Sequence, residues 1–152
     1  MKNSFFALCL LPLFACVSTE QAKNEIKVVE VVKSSNSWNG TKLPHYPQGQ
    51  PEVTVLRITI PKGVTLPMHQ HPVINVGVLL KGELTVKTQK GETLLMQAGD
   101  PIVEVVDTWH LGTSTGTEDA EIMVFYSGVK DKPLTIKRWG NTCSIDLMCL
   151  AS

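Results

Sequence analysis

The stretch GVTLPMHQHPVINVGVLLKG, Gly63 to Gly82, places two histidines one residue apart inside a run of strand-forming residues. On a strand, residues i and i+2 project from the same face, so His69 and His71 share one side while Gln70 faces the other. Two imidazoles on adjacent pleats can bind one metal ion at roughly 2.0–2.1 Å each. The same pair can instead line an interior and hydrogen-bond there without an ion. Asn75 keeps the parity of His71 (71, 73, 75), which turns its amide to the same side.

Outward from that stretch, the chain reads as a series of short strands. Upstream, Glu52 to Ile60 (EVTVLRITI) alternates cleanly, and Ile26 to Lys33 (IKVVEVVK) reads as an earlier strand. Between them, Ser34 to Gln50 is a loop containing Gly40, Pro44, Pro47 and Gly49. Met68 to Leu80 holds either two strands or one long bent one, ending at a Lys81-Gly82 turn. Glu83 to Thr88, Glu92 to Gln97 and Ile102 to Val106 follow at regular spacing, punctuated by Lys90-Gly91 and Gly99-Asp100. Ala120 to Ser127 (AEIMVFYS) is the most apolar and is expected to be buried on both faces, and Pro133 to Trp139 reads as a last, outer strand.

Composition agrees. With 152 residues, 43% hydrophobic and 18% charged, the chain is globular and sized for one domain. Fourteen basic and 14 acidic residues give zero formal charge, which excludes nucleic acid as the main partner, because phosphate binding needs a cationic surplus. Eleven glycines and nine prolines suit many turns. No run of about 18 apolar residues exists to form a membrane-spanning helix. The fold class expected is an all-β single domain, a sandwich or small barrel.

Two spaced motifs narrow this further. The first runs from Gly63 across five residues to His69-Gln70-His71, across three to Asn75 and across six to Gly82. The second runs from Gly99 across five residues to Val105, Val106, Asp107, Thr108, Trp109 and His110, and 27 residues (83 to 109) separate Gly82 from His110. With the intervening GVLLKGELTV (Gly77 to Val86), the chain resembles a small single-domain cupin of the type-2 conserved barrel family over about Val53 to Tyr126. The resemblance implies an antiparallel β-barrel of jelly-roll type with a mononuclear metal site inside. It also implies His69, His71 and His110 as ligands to a divalent ion: zinc, nickel, manganese, iron or copper. The sequence departs from the pattern at four points. The glutamate ligand of the first motif falls on Asn75, the proline and glycine of the second on Val105 and Asp107, and its terminal asparagine on Ser114.

Losing that carboxylate has a chemical consequence. Asn75 can act only as a weak ligand or as a hydrogen-bond partner beside the metal. Three neutral imidazoles leave a divalent ion its full charge, which strengthens it as a Lewis acid and stabilises higher oxidation states less well. Glu104 shares parity with Ile102 and Val106, and with His110 if no bulge intervenes; it faces either the cavity as a catalytic base or solvent. Arg57 is weighed in the same way, as an anion clamp in the cavity or a solvent-facing residue. His45 reads as a surface loop residue and Trp109 as a packing residue opposite His110. Trp38 and Tyr46 belong to an arm covering the barrel or a neighbouring subunit.

The ends carry separate information. Lys2 precedes the eleven-residue apolar run Phe5 to Ala15, too short for a bilayer and suited to a signal peptide over residues 1–15. Leu13-Phe14-Ala15-Cys16 resembles a bacterial lipobox, implying lipidation of Cys16 and a lipoprotein on the periplasmic side of a membrane, outer rather than inner given Val17. An ordinary secretory signal is the alternative. Residues 16–33 then form tether and first strand, 34–139 the barrel and 140–152 a tail. Cys143 and Cys149 in the tail either close a disulfide or remain free thiols.

The functional expectation is an exported, membrane-anchored metallo-cupin that binds a small molecule in the barrel, with non-redox Lewis-acid chemistry where it is an enzyme. The alternatives are a metal-dependent dioxygenase-type enzyme and a non-catalytic ligand-binding or structural envelope lipoprotein. Pairing of Ile26–Lys33 with a second copy would give a homodimer.

Overall fold

The computed structural model describes residues 25–138. Nine strands and no helix form two antiparallel sheets among them: β1 (Pro51–Ile60), β2 (His69–Gln70), β3 (Ile74–Lys81), β4 (Glu83–Thr88), β5 (Thr93–Gln97), β6 (Pro101–Val103), β7 (His110–Ser114), β8 (Ala120–Val129) and β9 (Ile136–Lys137). One sheet runs β1-β8-β3-β6 and the other β5-β4-β7-β2-β9. The expected all-β barrel is what forms.

Alternation decides which side chains meet between the sheets. In β1, Leu56, Ile58 and Ile60 turn inward while Val55, Arg57 and Thr59 turn out. β8 pairs with β1 over ten residues, from Pro51↔Val129 to Ile60↔Ala120, and with β3 on its other edge. Ala120, Ile122, Val124 and Tyr126 are buried, whereas Phe125 is 46% exposed. The expectation that β8 is buried on both faces is therefore corrected. A central strand of an antiparallel sheet covers the core with one face and leaves the other to solvent. Leu79, Leu84, Val86, Met96 and Ile102 complete the core from the other strands.

Three further expectations change. Ile26 to Lys33 forms no strand, and Ile26, Val28 and Val29 are exposed. The segment has the composition of a strand, but among the described residues no strand pairs with it, and an unpaired strand is not stable alone. His110–Ser114 (HLGTS), which no periodicity singles out, is β7, because β4 pairs with it from Leu84↔Ser114 to Thr88↔His110. Of Pro133–Trp139 only Ile136–Lys137 is strand, with Trp139 outside the described residues. Met68 to Leu80 resolves into two strands, and Ile102 to Val106 shortens to β6.

The arm after Ser34 closes the edge beyond β6. Asn36 and Lys42 form an isolated bridge, Trp38 N–H donates to Val103 O at 2.8 Å, and the Ser37 hydroxyl donates to Glu104 O at 2.8 Å. Trp38 packs against the core from this arm, while Tyr46 is 71% exposed.

Candidate metal centre

Strand pairing brings the histidines together. His69 in β2 lies directly opposite His110 in β7, so two residues far apart in sequence become cross-strand neighbours. His71 follows two residues later and is held by an isolated bridge to Val106, with Asp107 N–H donating to His71 O at 2.9 Å. Ring centroids stand 5.0 Å apart for His69 and His71, 4.5 Å for His69 and His110, and 5.2 Å for His71 and His110. One ligand nitrogen from each ring lies within 4.8 Å of the other two. Small side-chain rotations close that spacing around a shared ion at roughly 2.0–2.1 Å from each.

The outer nitrogens are already committed. His69 Nδ1 lies 2.7 Å from Pro67 O, His71 Nδ1 2.9 Å from Leu134 O, and His110 Nδ1 2.8 Å from Thr108 O. A carbonyl only accepts, so each bond puts the proton on Nδ1 and leaves Nε2 with its lone pair. That tautomer is the one a metal-binding imidazole needs, oriented by a backbone partner behind it. Thr135 Oγ1 adds a contact to His71 Nδ1 at 3.2 Å. Burial lowers all three imidazoles, His71 to about 3, and the neighbouring imidazoles reinforce this at His69 and His71. Neutral rings are the state that coordinates.

Asn75 and Glu104 complete the polar end of the cavity. Asn75 is 1% exposed, and neither its Oδ1 nor its Nδ2 has a hydrogen-bond partner. Glu104 reaches the same space from the residue after β6, its side chain 13% exposed, with Oε2 3.6 Å from His110 Nε2. Neither of those two atoms has a hydrogen-bond partner. Burial pushes the Glu104 carboxyl up to about 7, against the opposing pull of His69. Unpaired buried polar atoms are costly, and three of them, Asn75 Oδ1, Glu104 Oε2 and His110 Nε2, are lone-pair donors of the kind a divalent-cation site uses.

The remaining cavity is small, about 60 Å³, with Ile58, Ile60, Leu84, Val86, Ile122 and Val124 as an apolar floor. Tyr126 stands edge-on to His71 at 5.5 Å, and Thr135 and Lys137 lie towards the β9 side. None of these three was singled out in the sequence. Tyr126 was legible, since it alternates with Val124 and Ile122 on the inward face; Thr135 and Lys137 lie on the segment read as an outer strand, yet they line the cavity.

Arg57 is outside the cavity, its Nε 2.9 Å from Glu121 Oε1 on the outer face. His45 is an exposed loop residue, and half-buried Trp109 carries the Arg138 guanidinium 5.9 Å above its ring centre. Cys16, Cys143, Cys149 and the signal and tail segments lie outside the described residues.

The departures from the motif spacing acquire structural meaning. Asp107, where the pattern carries glycine, has φ 50°, so the left-handed conformation survives without the glycine. Ser114 Oγ accepts from Ala120 N–H at 3.2 Å and donates to Glu118 O at 3.4 Å, tying β7 to the start of β8.

A two-sheet antiparallel barrel with histidines from two separate strands pooled in its interior defines the class of protein. Residues 56–126, just under half of the chain, match the family described as Cupin domain, and the barrel has the cupin fold. Among solved structures, an oxalate oxidase in complex with the substrate analogue glycolate is 24% identical over 56% of this chain and 45% of its own, with a TM-score of 0.49. A structure of DMSP lyases is 14% identical over 57% and 44%, at 0.50. An RmlC-like cupin from Shewanella frigidimarina is 20% identical over 53% and 69%, at 0.45. The chain spans less than half the length of the first two. Among curated proteins, none matches.

Proposed function

We propose that the mature protein is an exported, lipid-anchored metallo-cupin that binds a small molecule against a divalent ion held by His69, His71 and His110. The observation that carries this reading is the set of three Nδ1–H groups donated to backbone carbonyls, leaving three lone pairs on converging rings. A divalent ion held there would supply Lewis-acid polarisation of a bound carbonyl or hydroxyl. The chain's own residues shape what enters. The apolar floor and the volume of about 60 Å³ favour a ligand of few heavy atoms, its polar end towards the histidines. Export and anchoring are supported by the Phe5–Ala15 run ending at Cys16.

Two experiments test the reading. The purified mature domain should take up one zinc or manganese ion per chain by calorimetric titration, and His110→Ala should lower the affinity on the order of 100-fold or more, beyond what losing an outer partner costs. A panel of small carboxylates and hydroxy acids should then shift the melting temperature of the metal-loaded protein and not of His110→Ala. Full-length protein should partition into a detergent phase, and Cys16→Ser should move it to the aqueous phase. Aqueous partition of the unaltered protein would refute the anchor.

We also propose a homodimer. β1 is an edge strand carrying outward Val53 and Val55 beside Phe125, and the Ile26–Val32 arm is strand-like in composition and pairs with no strand among the described residues. A second copy of the arm satisfies both at once.

A further inference from the structure

The first motif's carboxylate is absent at Asn75, yet a carboxylate stands in the same space on the neighbouring strand. Val76 pairs with Val103 in β3 and β6, so Asn75 and Glu104 are adjacent across that ladder, and Glu104 N–H donates to Asn75 O at 3.1 Å. On its other side, Glu104 O accepts from Ser37 Oγ at 2.8 Å. The main chain of Glu104 is therefore pinned at both polar groups, and its side chain is delivered to the histidines from a fixed root. There its Oε2 faces His110 Nε2 at 3.6 Å.

That contact is unfavourable without something between the two atoms. His110 has its ring proton on Nδ1, given to Thr108 O, so Nε2 presents a lone pair, and Glu104 Oε2 presents another whenever the carboxyl is ionised. Two facing acceptors in a low-dielectric interior repel unless a proton or a metal cation sits between them. Asn75 Oδ1, also without a partner, is a third such acceptor.

We propose that Glu104 is the anionic ligand of the centre, moved one strand over from the position that Asn75 occupies. This rests on the three-histidine reading above and deepens it. One unit of the ion's charge is then cancelled, as it is not by imidazoles alone, while a set of histidines and one carboxylate still serves Lewis-acid chemistry. The expectation of a wholly neutral ligand set, drawn from Asn75, is replaced. So is its corollary that higher oxidation states are poorly stabilised. Because carboxylate oxygen suits manganese and imidazole suits zinc and copper, Glu104 also biases which ion is held.

The test is calorimetric titration of the mature protein with zinc and with manganese, using wild type, Glu104→Gln and the double variant Asn75→Glu/Glu104→Gln. Glu104→Gln should bind manganese at least about 10-fold more weakly, with a smaller loss for zinc, and returning the carboxylate at residue 75 should recover most of the manganese affinity. Wild type that binds metal no better than Glu104→Gln overturns this proposal while leaving the histidine centre standing, with Glu104 as an unligated acid–base group. Wild type that takes up no metal overturns the histidine reading itself. A crystal structure of the zinc-loaded wild type needs no variant: a Glu104 oxygen at about 2.0–2.2 Å from the ion supports the assignment, and one beyond about 3.5 Å refutes it.

Discussion

Asp107 illustrates how a single residue keeps a backbone conformation that its side chain does not favour. Its φ of 50° is left-handed, a region that costs an ordinary L-residue roughly 1–2 kcal/mol and Asp or Asn less, since their short side chains bond locally. Asp107→Gly should therefore leave stability within about 0.5 kcal/mol, relief of strain being offset by extra freedom in the unfolded chain. Asp107→Val should cost about 1–2 kcal/mol, and because Asp107 N–H holds His71 O at 2.9 Å, it should also weaken metal binding. Denaturant melts and calorimetric titrations of the two variants check this pair; equal stability of the two would show that the turn bears no strain. Gly82 is a stricter case. Its φ is 73°, and an added Cβ would stand 2.6 Å from Asp119 O, a backbone atom that cannot swing away. Gly82→Ala should destabilise by more than about 1 kcal/mol and loosen the turn from β3 to β4.

At the scale of elements, legibility followed periodicity. β1, β4 and β5 announce themselves because each has an apolar face at every second residue and a turn dipeptide beside it. β7 does not, since HLGTS offers one leucine and a glycine; only its ladder to β4 makes it a strand, and a ladder is a long-range fact. Ile26–Lys33 fails in the opposite sense: its composition is that of a strand, but pairing depends on a partner that the described residues do not supply. The inward set His69, His71 and Asn75 was readable from parity alone. Glu104 was not decided by parity, because the chain between β6 and β7 is irregular; its placement depends on the β3–β6 register and on Ser37, 67 residues away. Arg57 shows the limit of mid-strand polarity as a guide: it faces out, to Glu121.

The pH response is a property of the same element cluster. His69, His71 and His110 have folded-state pKa values below the ordinary 6.5, so the stability they contribute is present above 6.5 and is lost as pH falls through their lowered values, for His71 about 3. Glu104 acts oppositely, because its pKa rises from 4.5 to about 7: its contribution is full below 4.5 and is lost as pH rises through 7. Between 4.5 and 6.5, three groups oppose one, and below 4.5 the histidines act alone. The metal-free protein should therefore lose melting temperature on acidification from pH 7 to pH 4. A melting temperature that rises over that range would contradict the burial of neutral imidazoles.

Across the whole molecule, the chain leaves an apolar outer face on the β1-β8-β3-β6 sheet. Val53 is 74% exposed, and Val55, Phe125 and Leu80 share that side with it. An exposed edge strand with apolar residues is an association surface or an aggregation hazard. If the dimer forms there, light scattering after size exclusion should give twice the chain mass, and Val53→Lys with Val55→Lys should return a soluble monomer that still binds metal, because the inward residues of β1 are untouched. A monomeric wild type would remove the dimer and leave the barrel's chemistry intact.

The central claim is that three imidazoles on β2, its following residue and β7 share one ion inside the barrel. Anomalous scattering from a crystal of the metal-loaded protein tests it most directly. A single peak per chain is expected within about 2.0–2.3 Å of the Nε2 atoms of His69, His71 and His110. A loaded crystal with no peak between those rings, or with an ion held by Nδ1 atoms or by surface groups instead, would contradict it.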